Sequence, residues 1–191
     1  MRCLSCHQLS LVAICKECKE SILKPSITKR DIGDLEVYSF YKYQNISDFI
    51  TSKYSVVGYR IYKELAKITT KPFINKFIEN IDNPIYIIGI DEHINYGYSN
   101  VAILTHSMKT KLSTPLHNTL IAQNRVSYAG KSLDFRLENS RDFRYSGKSD
   151  IEVILVDDTI TTGITLQEAY ILLKRYNVDV IFALTLADAK E

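Results

Sequence analysis

The stretch Ile154-Leu155-Val156-Asp157-Asp158-Thr159-Ile160-Thr161-Thr162-Gly163 decides the fold of this chain. Its aliphatic residues predict a buried strand that ends in two adjacent carboxylates. A short loop of threonines and one glycine follows, and a helix is predicted to begin just after it. Ligands of open α/β sheets bind beyond the carboxyl ends of the strands. The stretch therefore predicts a ligand site at a junction of strand, loop and helix.

The residue types in this loop indicate the kind of ligand. The backbone N–H groups of the loop and the positive end of the following helix favour a phosphate group, and Thr159, Thr161 and Thr162 add hydroxyl donors. Gly163 permits a backbone shape that a side chain would prevent. Adjacent carboxylates can accept hydrogen bonds from vicinal sugar hydroxyls and help to hold Mg²⁺. We predict a phosphorylated sugar; the alternative is an ordinary turn with Asp and Thr caps.

The apolar runs elsewhere predict a mostly parallel sheet. Continuous apolar strands that alternate with amphipathic helices are typical of a doubly wound α/β protein with helices on both faces. Strands are predicted over residues 85–90, 119–122, 151–156 and 178–186, and helices over 100–108, 133–143 and 165–176. Before them we predict a connector over 21–33, a strand over 35–41, and helices over 47–52, with Ser47 as the cap, over 59–68 and from Pro72.

Four cysteines form a separate motif at the N-terminus. Cys3, Cys6, Cys15 and Cys18 have the spacing C-x2-C-x8-C-x2-C, and no cysteine follows them. Two such turns complete a tetrahedral thiolate site, so we predict structural Zn²⁺. An iron–sulfur cluster, two disulfides and free thiols are the alternatives, and disulfides fit a reducing cytoplasm poorly. The metal would fold a segment too short for a core of its own; a basic rim of Arg2, Lys16 and Lys19 could also dock nucleic acid or a partner.

Composition limits the classes of protein that this chain can be. It has 191 residues, 46% of them hydrophobic, and a net charge of +2, which excludes collagen-like, low-complexity and strongly disordered chains. No apolar run approaches the ~20 residues of a membrane span. The first residues do not have the pattern of a signal peptide. We therefore expect a cytoplasmic protein without membrane insertion.

One segment is more basic than the rest of the chain. Residues 109–148 contain eight Lys or Arg residues and three acids. Aromatic residues between them, such as Tyr128 and Tyr145, could stack on bases; a solvated helix with core aromatics is the alternative. The candidate nucleic-acid-binding residues are Lys109, Lys111, Arg125, Lys131, Arg136, Arg141, Arg144 and Lys148.

Residues 154–163 resemble the 5-phosphoribosyl-1-diphosphate (PRPP) motif of type I phosphoribosyltransferases. With the four-cysteine motif in front, the chain resembles the ComF family of competence-associated proteins. Segments 52–54 (Ser-Lys-Tyr), 96–99 (Tyr-Gly-Tyr-Ser) and 128–133, with Arg136 and Asn139 after it, are similar to further segments of that family. Tyr96 and Tyr128 stand where the family has Arg and Gln.

The resemblance implies a division of the chain into a zinc knuckle (1–24), a hood and connecting region (25–82) and a phosphoribosyltransferase-like domain (83–191). It implies PRPP with Mg²⁺ as ligand, and a role in natural transformation with single-stranded DNA and a competence helicase or DNA-processing protein as partners. The alternatives are an active phosphoribosyltransferase acting on a nitrogenous base, in which Asp157 and Asp158 are catalytic, and a PRPP-sensing regulator with a protein partner. The implied PRPP-binding residues are Asp157, Asp158, Thr159, Ile160, Thr161, Thr162 and Gly163.

Overall fold

The strands form one large sheet and one small one in a computed structural model that describes residues 2–94, 96–124, 135 and 139–190. The strands are β1 (Thr28–Ile32), β2 (Leu35–Lys42), β3 (Ile85–Gly89), β4 (Ser113–Pro115), β5 (Leu120–Ala122), β6 (Phe143–Tyr145), β7 (Ile151–Ile160) and β8 (Val178–Asp188). The large sheet has the order β1-β2-β8-β7-β3-β4, and β5 pairs with β6.

The large sheet is parallel from β2 to β4, and β1 alone is antiparallel to its neighbour. The prediction of a mostly parallel α/β sheet is thereby confirmed. Residues 25–82, expected to form a hood and connecting region, supply β1 and β2 to this sheet. Because β7 lies between β8 and β3, its carboxyl end is flanked by strands on both sides.

Helices cover both faces of the sheet, as predicted. They are α1 (Lys16–Ser21), α2 (Tyr43–Thr51), α3 (Gly58–Ile68), α4 (Thr70–Phe77), α5 (Asn100–Ser107) and α6 (Ile164–Arg175), with short 3₁₀ turns at Ser52–Tyr54 and Ile78–Asn80. Among the residues that the structure describes, none of these helices combines the length and the hydrophobicity needed to traverse a bilayer.

Successive side chains of β7 pack into two different hydrophobic cores, one on each face of the sheet. Ile154 and Val156 pack in the cluster that contains residues of α2 to α5, whereas Val153 and Leu155 pack with Leu166 and other residues of α6. Successive side chains of a strand point to opposite faces of its sheet, so each core takes every second residue. Full burial of each such side chain stabilises the fold by about 1.5–3 kcal/mol. Because β7 lies inside the sheet and contributes residues to both cores, it is the central element.

Three boundaries differ from the predictions. β7 extends to Ile160 because it keeps pairing with β8, so Asp157 and Asp158 lie within the strand and not after it. The helix predicted to be capped by Ser47 begins at Tyr43, with a kink at Ile46. The predicted connector contains the polar strand β1, whose alternation is too weak to detect.

The predicted helix over residues 133–143 is wrong at its end. Phe143 begins β6, where the side chains of Phe143 and Tyr145 are buried in the core that faces α6. Strand pairing with β5 fixes this conformation, and no local pattern revealed it. Residues 133–134 and 136–138 of that prediction lie outside the described residues.

Candidate functional site

Asp158 lies in a closed cluster of donors. Its side chain is buried, and its Oδ2 accepts hydrogen bonds from Lys53 Nζ at 2.7 Å, Asn100 Nδ2 at 2.7 Å and Tyr62 Oη at 3.3 Å. Burial alone would lower the pKa of Lys53, but the charge and hydrogen bond of Asp158 raise it. Burial and the same carboxylate raise the pKa of Tyr62. The cluster thus holds an ion pair between a buried carboxylate and a partly exposed ammonium group, with a phenol beside it.

Close packing places Lys53 in this cluster. The hydroxyl of Tyr98 lies 3.2 Å from the carbonyl oxygen of Lys53 and 3.1 Å from that of Ser55, and donates its proton to this pair of acceptors. A Cβ on Gly58 would lie 2.0 Å from the hydroxyl oxygen of Tyr98 and 2.2 Å from the carbonyl oxygen of Ser52. Glycine is therefore required where α3 begins, and Tyr98 fixes the turn that carries Lys53.

Asp157 points to the opposite face of β7, where its surroundings differ. The backbone N–H of Asp158 donates to its Oδ1 at 2.7 Å. Burial first, and the charge of Asp158 second, raise its pKa from 3.8 to about 8, against the opposing effects of Lys53 and Arg141. Burial and the neighbouring charge therefore make Asp157 a weaker acid than an ordinary carboxyl group.

The threonine loop leads directly into α6. Thr161 and Thr162 are exposed, and Gly163 is buried with φ = +88° at the N-cap position. A Cβ on Gly163 would lie 2.7 Å from Cδ1 of Ile32 in β1, so the loop is held against the β1–β2 hairpin. The α6 N-terminus thereby presents its backbone N–H groups beside exposed hydroxyls, an arrangement that suits an anion.

The hydroxyl of Thr159 is a further group at this strand end. Its Oγ1 is buried and has no hydrogen-bond partner in the described part of the chain. A buried hydroxyl without a partner costs about 1–3 kcal/mol, unless another molecule supplies the missing bond. Thr159 lies two residues after Asp157 in β7, so a ligand at the strand end would meet an unsatisfied hydroxyl close to a carboxyl group.

The four cysteines converge as predicted. Their sulfur atoms all lie within 4.8 Å of one another, with 3.9 Å between Cys3 and Cys18 and 3.8 Å between Cys6 and Cys15. Zinc–sulfur bonds of about 2.3 Å in a tetrahedron place the sulfurs about 3.8 Å apart. These separations exceed a disulfide bond of about 2.05 Å. The number and spacing of the sulfur donors fit zinc.

The knuckle docks onto the body of the protein. Cys3, Ile14, Cys18 and Leu23 are buried in the same core cluster as α2 to α5. Burial would raise the pKa of Cys3, but backbone N–H groups of Cys15 and nearby residues lower it to about 6, which favours the thiolate. Lys19 of the predicted basic rim forms an ion pair with Glu64 of α3.

The predicted nucleic-acid-binding residues lie in different surroundings. Lys109, Lys111 and Arg144 are exposed. Arg141 is half-buried, with its guanidinium 3.8 Å from Asp91, and the Nζ of the exposed Lys148 lies 4.7 Å from the centre of the Tyr86 ring. Arg125, Lys131 and Arg136 lie outside the described residues.

Sequence reasoning missed the partners of Asp158 as site residues. The similarity of segment 52–54 to a family segment does not by itself give Lys53 a role. Tyr62 and Asn100 come from α3 and α5, 96 and 58 residues from Asp158. A signal for Lys53 existed in that similarity, whereas no local pattern pairs Tyr62 or Asn100 with a distant strand.

Comparison with known proteins gives matches to solved structures alone: no protein-family model matches the chain, and no curated protein does. Adenine phosphoribosyltransferase from Saccharomyces cerevisiae aligns at 13% identity over 90% of this chain and 87% of its own, with a TM-score of 0.45. Mycobacterium tuberculosis orotate phosphoribosyltransferase aligns at 14% identity over 90% and 82%, with a TM-score of 0.42. Leishmania donovani UMP synthase aligns at 15% identity over 67% of this chain, with a TM-score of 0.37, and the chain spans 22% of its length. Similarity this distant does not tell what the chain binds.

Proposed function

We propose that this protein binds PRPP with Mg²⁺ at the carboxyl end of β7. The observation that carries the proposal is the junction itself: Asp157, the threonine loop and the N-terminus of α6 follow one another at the end of a central parallel strand. The loop supplies N–H and hydroxyl donors for a phosphate, and the strand supplies carboxyl groups for sugar hydroxyls. PRPP has both features in one molecule.

The two aspartates take different roles in this proposal. Asp157 accepts hydrogen bonds from the ribose hydroxyls. Asp158 already has three donors on Oδ2, so it positions the strand end through Lys53, Tyr62 and Asn100. Bound Mg²⁺ would neutralise the diphosphate, and carboxylate oxygens are ligands that this ion prefers. The residues that would bind the ligand are therefore Asp157 and those of 159–163, with Asp158 as their support.

Calorimetry and thermal unfolding test the proposal directly. PRPP with Mg²⁺ at ~100 times its dissociation constant should stabilise the fold by about 2.7 kcal/mol. Asp157→Asn should remove most of that gain while the ligand-free chain stays folded. Asp179→Asn, at an exposed position near the amino end of β8, is the matched control and should keep it. Absence of binding by the folded wild-type chain would refute the proposal; release of diphosphate with a panel of bases would extend it to a transferase.

We also propose that Cys3, Cys6, Cys15 and Cys18 hold one structural Zn²⁺. The sulfur separations support this proposal, because they match a tetrahedral tetrathiolate site. Metal analysis should return one zinc per chain, and Cys6→Ser should lose it, whereas Ser10→Ala in the same loop should not. Chelation should unfold the knuckle first. A different metal, or none, in protein purified under reducing conditions would contradict the assignment.

The finer part of the proposal comes from the resemblance to the ComF family: a role in natural transformation with single-stranded DNA as partner. Exposed basic residues support it, Lys111 and Arg144 among them. Affinity for an oligonucleotide should fall steeply as salt rises. The double variant Lys111→Glu/Arg144→Glu should weaken binding. Lys76→Glu on α4 is the control and should leave binding unchanged. Unchanged affinity in the double variant would remove this surface from the proposal.

A further inference from the structure

A groove between α3 and α5 lies apart from the predicted PRPP loop. Its cavity volume is about 830 Å³, within the usual range for small-molecule sites. Its walls come from the helices that cover one face of the sheet, whereas the threonine loop leads into α6 on the other face. The predicted functions leave this groove without a role.

The two ends of the groove can be identified from contacts between the helices. At one end the rings of Tyr59 and Tyr98 lie 6.0 Å apart, edge to face. At the other end the hydroxyls of Thr70 and Ser107 lie 2.6 Å apart. α3 and α5 therefore run in the same direction along the groove, from an aromatic end to an end beyond Ser107.

The far end of the groove is cationic. Lys67, Lys71, His106 and Lys109 line it, and Nζ of Lys71 donates to the backbone carbonyl of Lys109 at 3.0 Å. Lys67 is paired with Glu64, whereas in the described part of the chain neither Lys71 nor Lys109 forms an ion pair with a carboxylate. This end of the groove therefore favours an anionic group.

The aromatic end suits a flat, uncharged group. Tyr59 is 44% exposed, and the Nζ of Lys63 lies 5.3 Å from the centre of its ring. Eight residues of α3 separate Tyr59 from Lys67, which is about 12 Å along the helix. A ligand that fills the groove would therefore carry its ring and its anionic group about that far apart.

The single acid that lines the groove does not oppose an anion. Glu92 is buried, and its carboxylate accepts hydrogen bonds from Thr105 Oγ1 at 2.7 Å, from the Asn118 N–H at 2.9 Å and from His117 Nδ1 at 3.0 Å. These donors satisfy the carboxylate oxygens and fix the ring of His117 at the wall of the groove. The exposed charges that line the cavity are thus positive.

We infer that the groove between α3 and α5 is a second ligand site, which binds a free nucleoside triphosphate with its base on Tyr59 and its terminal phosphate between Lys71 and Lys109. The inference does not depend on PRPP binding. A free nucleotide and a nucleic-acid strand both carry bases and phosphates, and an oligonucleotide in the test distinguishes them.

Calorimetry of the zinc-loaded full chain with adenosine triphosphate tests the inference. The double variant Lys71→Glu/Lys109→Glu should weaken binding at least about tenfold, a loss of about 1.4 kcal/mol. Tyr59→Ala should weaken it as well. Lys76→Glu, an exposed lysine of α4 outside the groove, is the matched control and should bind as the wild type does.

Further binding measurements distinguish this site from the PRPP site and from a site for a nucleic-acid strand. Adenosine triphosphate should still bind in the presence of saturating PRPP and Mg²⁺, and to Asp157→Asn. Displacement by PRPP, with no effect of the groove variants, would overturn the inference and leave the proposed PRPP site intact. Binding of a ten-nucleotide oligothymidylate, but not of adenosine triphosphate, through the same lysines would replace the free ligand by a strand. Loss of PRPP binding with retained groove binding would refute only the proposed function.

Discussion

The two sides of β7 at its carboxyl end differ although adjacent residues create them. On one side Asp158 is buried among Lys53, Asn100 and Tyr62, which leave its Oδ2 fully engaged. On the other side Asp157 accepts a hydrogen bond from the backbone N–H of Asp158, and burial raises its pKa. Near the same strand end, Oγ1 of Thr159 has no hydrogen-bond partner among the residues that the structure describes. The pleat of the strand thus separates two carboxyl groups. Asp158 is held by three side chains, whereas Asp157 has a backbone N–H as its donor.

This difference shows how a binding site can keep its conformation while some of its polar groups lack hydrogen-bond partners. The donor-filled side fixes the strand end, because a buried ion pair with further hydrogen bonds has one good geometry. The donor-poor side is then kept in place although its groups are unfavourable without a ligand. We therefore expect substitutions on the Asp158 side to affect stability, and those on the Asp157 side to affect ligand binding and pH dependence.

The largest effect is expected on the Asp158 side. Lys53→Met leaves a buried carboxylate without its cation, so we expect a loss of about 3–5 kcal/mol in the free energy of unfolding. Lys63→Met, an exposed lysine of α3, should change it by less than about 0.5 kcal/mol. Urea unfolding measures both. The double variant Lys53→Met/Asp158→Asn should recover part of the loss, and no recovery would show that Lys53 acts through packing instead.

Substitution of Asp157 should raise the free energy of unfolding, whereas Lys53→Met lowers it. Because the pKa of Asp157 is raised from 3.8 to about 8, the folded chain holds a proton that the unfolded chain releases between those values. Its contribution to stability is present below about pH 4 and is lost as pH rises to about 8. Asp157→Asn should therefore exceed the wild type in stability, by roughly 2–4 kcal/mol at pH 8 and by less at pH 5. Parallel curves of stability against pH for the two proteins would contradict the raised pKa.

The loop after β7 should tolerate little change. Gly163→Ala puts a side chain at a positive φ and against Ile32, so we expect a loss of about 2–3 kcal/mol. Gly97→Ala is the matched control, because its φ is also positive but a Cβ there meets no atom within 4 Å; about 1 kcal/mol is expected. Thermal unfolding gives the difference, and equal losses would mean that contact with β1 is unimportant.

The smallest effect is expected from Tyr62→Phe. The hydroxyl lies 3.3 Å from Asp158 and 3.2 Å from the carbonyl oxygen of Ile50, so its removal should cost about 1 kcal/mol. The ring stays buried in the core, and PRPP binding should not change. A loss as large as that of Lys53→Met would mean that the phenol, and not the ammonium group, stabilises the carboxylate.

The strands that carry the site could be predicted because their signals are local. Uninterrupted apolar runs at β3, β7 and β8 indicated buried parallel strands, and the spacing of the four cysteines indicated a metal site. β1 and β6 were not predicted, because polar or short strands acquire their conformation from the partners with which they pair. The same holds for the last residues of β7, which pairing with β8 keeps extended.

The sequence by itself determined that two carboxyl groups, three threonines and a glycine lie together at a strand end, since they are neighbours in the chain. It also determined the tetrathiolate ligand set. Only the tertiary structure decided that Asp158 is bound by Lys53, Tyr62 and Asn100 while Asp157 is not, and that α3 and α5 enclose a groove. Those arrangements depend on residues far apart in the chain, and packing of the helices against the sheet brings them within contact distance.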